Sequence, residues 1–314
     1  MSTSMPVFFM EGKPENFKLS TEEQLKLAAL PLEGKTPVLA NKPKIAVILW
    51  GPPNSGKTTR AAELIKQEYA PILDHMVAIS YDEHTLGGKT GALFNIPAYG
   101  AAYDKEVALQ KAGGTPDRET LNDLYREYRD DSQRIRSMTL KMAAEAGHHL
   151  CIDTTSSGGG TFKMVEILKQ AGYGQIHFVG AIAPLRVAVP RSEERLRLVE
   201  PIEVFDKRAG AFETLPGILE TANKLVLLQN AVDGQNPEIL LRAEDGAITE
   251  KNAQALRHLT NYTSKDIDFC RQHPVGQAFA DRLATSTTGL IDALNGPLVA
   301  ARQAPTGTRP HPKA

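Results

Sequence analysis

The stretch KIAVILWGPPNSGKTT, residues 44–59, decides the fold. Its first seven residues are a short, almost unbroken apolar run, the signature of a strand buried on both faces of a parallel sheet. The next eight, Gly51 to Thr58, match G-x-x-x-x-G-K-[ST]. Four fixed positions recur by chance in roughly one chain per hundred of this length. Here the motif follows a buried strand and opens a helical stretch at 58–69, which is the context the chemistry requires. In such a loop the backbone N–H groups of Gly51, Pro52 to Ser55 where an N–H exists, Gly56 and the residues beyond turn inward and surround phosphate oxygens, aided by the helix N-terminus. Gly51 and Gly56 permit backbone angles and close approach that a side chain would block. Lys57 reaches the outer phosphates, and the Thr58 hydroxyl completes a magnesium shell. The loop Gly51, Pro52, Pro53, Asn54, Ser55, Gly56, Lys57, Thr58 and Thr59 is therefore the expected ATP site, with Mg²⁺ as its companion ion.

Outward from this loop, strand-like runs alternate with helical ones. Runs at 76–80, 149–152, 175–183, 224–228 and 238–242 read as strands. Residues 119–146 keep helical apolar spacing and end at Gly147, and helices are expected at 161–171, 211–223, 249–258 and 275–294. Ser20 and Glu23 form a capping box ahead of a first helix. Residues 87–116, rich in glycine with Phe94, Tyr99 and Tyr103, read as an irregular insertion. The alternation predicts an α/β fold of P-loop NTPase type, three layers with a mainly parallel sheet and helices on both faces. The organisation expected is an N-terminal helical extension at 1–42, a P-loop domain at 43–262, a C-terminal helical segment at 263–296 and a disordered tail at 297–314.

Composition narrows the function classes. The chain has 314 residues, 41% apolar and 23% charged, which suits a soluble globular protein. Lys and Arg total 36 against 37 Asp and Glu, a net charge of −1, so a nucleic-acid partner is not expected. Two cysteines, Cys151 and Cys270, are too few for a disulfide scaffold or a cysteine-rich zinc site. No apolar run approaches the ~20 residues that span a bilayer, so no membrane partner is expected. The opening MSTSMPVFFMEGK lacks a basic region followed by an apolar core, so a cytoplasmic location is expected. A leaderless route of export into a host cell would leave no such mark.

Three further features carry chemistry. Asp153 follows the strand at 149–152, and an acid there beside a phosphate loop suits water-mediated magnesium binding or a turn cap. Thr154, Thr155, Ser156 and Ser157 after it offer hydroxyls to a polar substrate or to a helix cap. Asp82 follows the strand at 76–80, where a carboxylate orients an acceptor hydroxyl and takes its proton, or simply closes a turn. Arg186, Arg191, Arg195, Arg197 and Arg208 form a charged stretch, either a solvated face or a lid that neutralises phosphoryl charge. Trp50 is expected to pack rather than stack on a base.

Taken together, KIAVILWGPPNSGKTT, AISYDEHT, AGHHLCIDTTSS and VGAIAPLRVAVPRSEERLR, with Arg208 in DKRAG, resemble the zeta-toxin family of P-loop kinases over residues 43–242. That resemblance implies Lys57 and Thr58 for ATP and magnesium and Asp82 as catalytic base. It implies Arg195 and Arg208 as charge stabilisers, and Asp153 and Thr155 on magnesium or the acceptor sugar. It implies a nucleotide-linked small-molecule substrate, UDP-N-acetylglucosamine in the family and NAD in related plant-pathogen effector kinases. It also implies a small antitoxin or chaperone-like inhibitor protein as partner. Ser137 stands where the family has a glutamate, and the segment after Asp82 is longer here. A polynucleotide 5′-hydroxyl kinase and a nucleotide-gated switch are the competing readings. The switch has no use for an acceptor base.

Overall fold

A computed structural model describes residues 12–295 apart from 83, 85, 87, 89–90, 156 and 231–237. The tail expected at 297–314, the first eleven residues of the N-terminal extension and Ser156 lie outside the described residues.

The strands are β1 (Lys44–Trp50), β2 (Met76–Ile79), β3 (His149–Thr154), β4 (Tyr173–Ile182), β5 (Lys224–Gln229), β6 (Glu238–Glu244) and β7 (Ala247–Lys251). They form one sheet in the order β2-β3-β1-β4-β5-β6-β7. The first five are parallel, and β6 and β7 add an antiparallel edge. The helices are α1 (Thr21–Ala29), α2 (Ala62–Glu68), α3 (Ala92–Asn95), α4 (Pro97–Lys111), α5 (Arg118–Ala146), α6 (Gly160–Gln170), α7 (Leu185–Glu194), α8 (Pro201–Thr221), α9 (Ala253–Gln272) and α10 (Gln277–Asn295).

The apolar run of β1 sits at the centre because both of its faces are covered. Ala46, Ile48 and Trp50 join a core with α5, α6, α8, α9 and α10 residues. Val47 and Leu49 join a second core with Ala61 and Ile65 on the opposite face. Alternation along the strand thus feeds two helical layers, the three-layer α/β arrangement that the sequence predicts. From β1 the chain crosses to β2 on one side, and from β4 to β5 on the other. The carboxyl end of β1 is therefore a topological switch point, where such sheets bind ligands.

Several expectations need correction. The segment at 87–116 is not irregular where it is described. It holds α3 and α4, with Pro97 at the first turn of α4. Its Ala, Gly and Tyr residues give little apolar contrast around the helix, which hid the 3.6-residue period. The helix expected at 249–258 begins only at Ala253, because 247–251 is β7. Asp245 and Gly246, both at positive φ (45° and 81°), make the tight turn joining β6 to β7. α8 starts ten residues before the expected helix, with Pro201 at its N-terminus. The boundary expected between 262 and 263 falls inside the continuous α9.

Outlying helices are tied to this body by specific bonds. On α1, Gln24 Nε2 donates to Asp131 Oδ1 of α5 at 2.8 Å, and Ala28 O accepts from Thr139 Oγ1 at 3.0 Å. Arg282 of α10 bonds Asp206 at 2.6 Å and Glu213 at 2.7 Å, both on α8.

Burial also gives the fold a pH dependence. It lowers the imidazole of His177 from 6.5 to about 4, and it lowers His148 and His149 as well. These groups protonate more readily in the unfolded chain. The stability they confer is complete above about 6.5 and is lost as pH falls toward 4. Urea unfolding midpoints should therefore fall across that window, and His177→Gln should flatten part of the fall. An unchanged slope in that variant would contradict the assignment.

Candidate active site

The phosphate loop leaves β1 at Gly51 and closes at Gly56. Gly51 lies at φ 143°, where a Cβ would meet Ala181 O at 2.2 Å. Gly56 lies at φ 87°, where a Cβ would meet Asn230 Nδ2 at 2.1 Å. The two fixed glycines of the motif follow from positive φ at both places, from the Ala181 carbonyl packed against Gly51 and from the Asn230 side chain packed against Gly56. Asn230 Nδ2 donates to Ser55 O at 3.2 Å and braces the loop from the end of β5. Ser55 Oγ is buried with no hydrogen-bond partner among the described residues. Beyond Gly56 the chain opens into a wide π-helical turn, Lys57–Ala61, and then α2. Trp50 is fully buried, its indole against the backbone of Gly180, as the packing reading expects.

Beside the loop lies a cavity of about 910 Å³. Lys57, Thr58 and Thr59 line it together with Tyr81, Asp82, His84, Tyr125, Arg129, Thr155, Arg191, Arg195 and Arg197. Asp82 and Arg197 form an ion pair, Nη2 to Oδ1 at 2.8 Å, and the Arg197 guanidinium lies 4.1 Å from the centre of the Tyr125 ring. The Asp82 backbone N–H donates to Ser80 Oγ at 3.1 Å, fixing the turn after β2. Asp153 is the penultimate residue of β3, 5% exposed, and its Oδ1 accepts from Lys57 Nζ. Thr155 Oγ1 lies 3.3 Å from Ser157 Oγ.

Arg208 does not join this group. It is 1% exposed on α8, and its Nη2 bonds Asp266 Oδ2 of α9 at 3.2 Å. Its guanidinium lies 4.3 Å from the Phe212 ring. Burial pushes the Asp266 carboxyl up to about 6, against the lowering pull of Arg208. Arg208 is thus a buried clamp between α8 and α9 and correction is needed to its expected place beside the phosphates. The residue facing Asp82 is Arg197, from the same arginine-rich stretch. Tyr125 and Arg129, four apart on α5, and His84 are cavity residues that sequence reasoning did not assign. The i, i+4 spacing of a tyrosine and an arginine was the available signal.

The aromatic residues of the 87–116 segment have distinct surroundings. Tyr99 is fully buried in a core with Ala28, Leu93 and Ile135. Phe94 is half-buried and meets the Tyr103 ring edge-on at 6.0 Å. Tyr103 reaches a cavity residue, its hydroxyl lying 3.0 Å from His84 Nε2. Tyr99→Ala should therefore cost about 3–5 kcal/mol of stability, as large-to-small aromatic core changes do. Acceptor KM should stay at the wild-type value. A raised KM with an unchanged unfolding midpoint would return Tyr99 to the pocket.

Thr58 and Asp153 offer hard oxygen donors of the kind Mg²⁺ takes, and Mg²⁺ sites use one or two protein ligands with phosphates and water for the rest. No group of three or more His, Cys, Asp or Glu side chains is placed to hold a metal among the described residues. No helix among the described residues is long and apolar enough to cross a membrane.

No protein-family model and no curated protein matches this sequence. Among solved structures, it aligns with one from the PezAT chromosomal toxin–antitoxin system of Streptococcus pneumoniae. Identity is 14% and TM-score 0.46, over 90% of this chain and 98% of the other. It also aligns with AvrRxo1-ORF1:AvrRxo1-ORF2 bound to sulphate ions, at 13% identity and TM-score 0.47, over 85% of this chain and 82% of the other. The same complex with ATP gives 12% identity and TM-score 0.47, over 85% and 87%. At such distance the likeness by itself assigns no activity.

Proposed function

We propose that this chain is an ATP-dependent kinase that transfers the γ-phosphoryl group to a sugar hydroxyl of a nucleotide-linked substrate, UDP-N-acetylglucosamine. The observation that supports this most is that one cavity is lined both by the phosphate loop and by the Asp82–Arg197 pair. A nucleotide switch needs the first and has no use for the second. At about 910 Å³ the cavity is near the upper end of small-molecule sites, room for a donor and an acceptor together.

In this reading the loop N–H groups and Lys57 hold the donor phosphates. Asp82, oriented by Arg197, accepts a hydrogen bond from the acceptor hydroxyl and takes its proton as the oxygen–phosphorus bond forms. The bond to the leaving ADP breaks in the same displacement. Arg191 and Arg195, from the mouth of the loop, take up the charge role that Arg208 is too buried to fill. Thr58 and Asp153 would hold Mg²⁺, which when bound neutralises charge on the outer phosphates. Thr155 serves the acceptor. The sequence resemblance supports a small antitoxin as partner, and the net charge of −1 disfavours a polynucleotide acceptor.

The test offers labelled ATP with UDP-N-acetylglucosamine, NAD and a DNA oligonucleotide side by side. Label on the UDP-sugar is expected. Label on NAD would move the acceptor to a ribose, and label on the oligonucleotide would replace the small-molecule reading.

A further inference from the structure

One residue of the phosphate loop does something the motif does not ask of it. Asn54 occupies a variable position of G-x-x-x-x-G-K-T, at φ 60°. That backbone region suits glycine, asparagine and aspartate. Asparagine adds an amide to a place where glycine would add nothing, and both ends of that amide are used. Its Nδ2 donates to Ala188 O in α7 at 3.1 Å. Its Oδ1 accepts from Arg195 Nη1 at 3.2 Å, and its backbone O accepts from Arg191 Nη1 at 3.1 Å. The amide's orientation is fixed by this network, since the reverse would set NH₂ against a guanidinium and oxygen against a carbonyl.

All three bonds therefore run from a single loop residue to the 188–195 stretch, which carries the arginines of the cavity wall. We infer that Asn54 is a positioning residue that latches α7 and its arginines onto the phosphate loop, so that Arg191 and Arg195 are set in place before the phosphoryl group arrives. This inference rests on the kinase reading of the same site. Holding two long, rotamer-rich side chains at the loop mouth removes an ordering cost from the chemical step.

Asn54→Gly tests this with little backbone strain, because glycine accepts φ near 60° and keeps the Arg191 bond to the main chain. Both side-chain bonds disappear. Hydrogen exchange of the protein without nucleotide should speed up by about tenfold or more at residues 185–197, with β1 and α5 unchanged. In turnover, kcat should fall by about 10- to 100-fold, the loss of one or two hydrogen bonds, while ATP Kd stays within about threefold. Arg195→Met should cost far less in the Asn54→Gly background than in the wild type. Asn54→Asp keeps an acceptor for Arg195 but loses the donor to Ala188. It should loosen α7 with a smaller loss of kcat. Unchanged exchange at 185–197 would overturn the latch. Unchanged kcat, additive effects with Arg195→Met, or a loss of kcat that tracks a lowered unfolding midpoint would overturn the positioning role. A wild-type enzyme that phosphorylates no acceptor would instead sink the kinase reading, and the exchange result would then decide the latch by itself.

Discussion

Lys57→Ala is expected to lower phosphoryl transfer by about 10³-fold or more and to destabilise the protein at the same time. The catalytic loss follows from removing a point charge from the donor phosphates, where electrostatic clamps are the largest single contributors. The stability loss comes from the structure. The motif assigns Lys57 to the outer phosphates, but in the fold its side chain is also only 12% exposed and is paired to Asp153, itself 6% exposed. Taking away one partner of a buried pair strands the other, at a cost of about 3–5 kcal/mol. The double variant Lys57→Met with Asp153→Asn removes both charges and should recover most of the stability and none of the activity. Urea unfolding alongside single-turnover kinetics separates the two effects. Transfer at the wild-type rate in folded Lys57→Ala would remove the kinase reading.

Asp82→Asn should reduce kcat by about 10²–10⁴-fold, the range of a general base, with ATP Kd within about threefold of wild type. Asparagine retains a hydrogen-bond acceptor at the Oδ1 position that meets Arg197, so the turn after β2 should survive. What it cannot do is take the proton from the acceptor hydroxyl. The kinetic split identifies the role. A variant that loses ATP binding but transfers normally at saturating ATP would place Asp82 with the nucleotide.

The parts of this account that could be read from the sequence are the contiguous ones. The apolar run of β1, the glycines of the loop and the end of α5 at Gly147 each act on neighbours a few residues away. Local pattern therefore reports them. Arg208 failed for the opposite reason. It shares a charged stretch with Arg191, Arg195 and Arg197, but the face of α8 that carries it turns to Asp266, 58 residues later. No spacing rule reports which arginine of a run meets a distant carboxylate. The helices α3 and α4 were hidden by weak amphipathic contrast, although Tyr99 is wholly buried. β7 was missed despite a legible signal, the Asp245–Gly246 turn between alternating runs. The side chain of Asn54 shows a third limit. A motif fixes four positions of the loop, and the work of a fifth becomes visible only when α7 is set against it.

The central claim is that the γ-phosphoryl group of ATP ends on a hydroxyl of a second molecule in this cavity. Phosphorus NMR of the wild-type protein with ATP, Mg²⁺ and UDP-N-acetylglucosamine reads that outcome directly. The account predicts one ADP and one new phosphomonoester on the acceptor for each ATP consumed, with neither signal growing in the Lys57→Ala sample. Inorganic phosphate as the sole product beside ADP, or AMP with pyrophosphate, would contradict it.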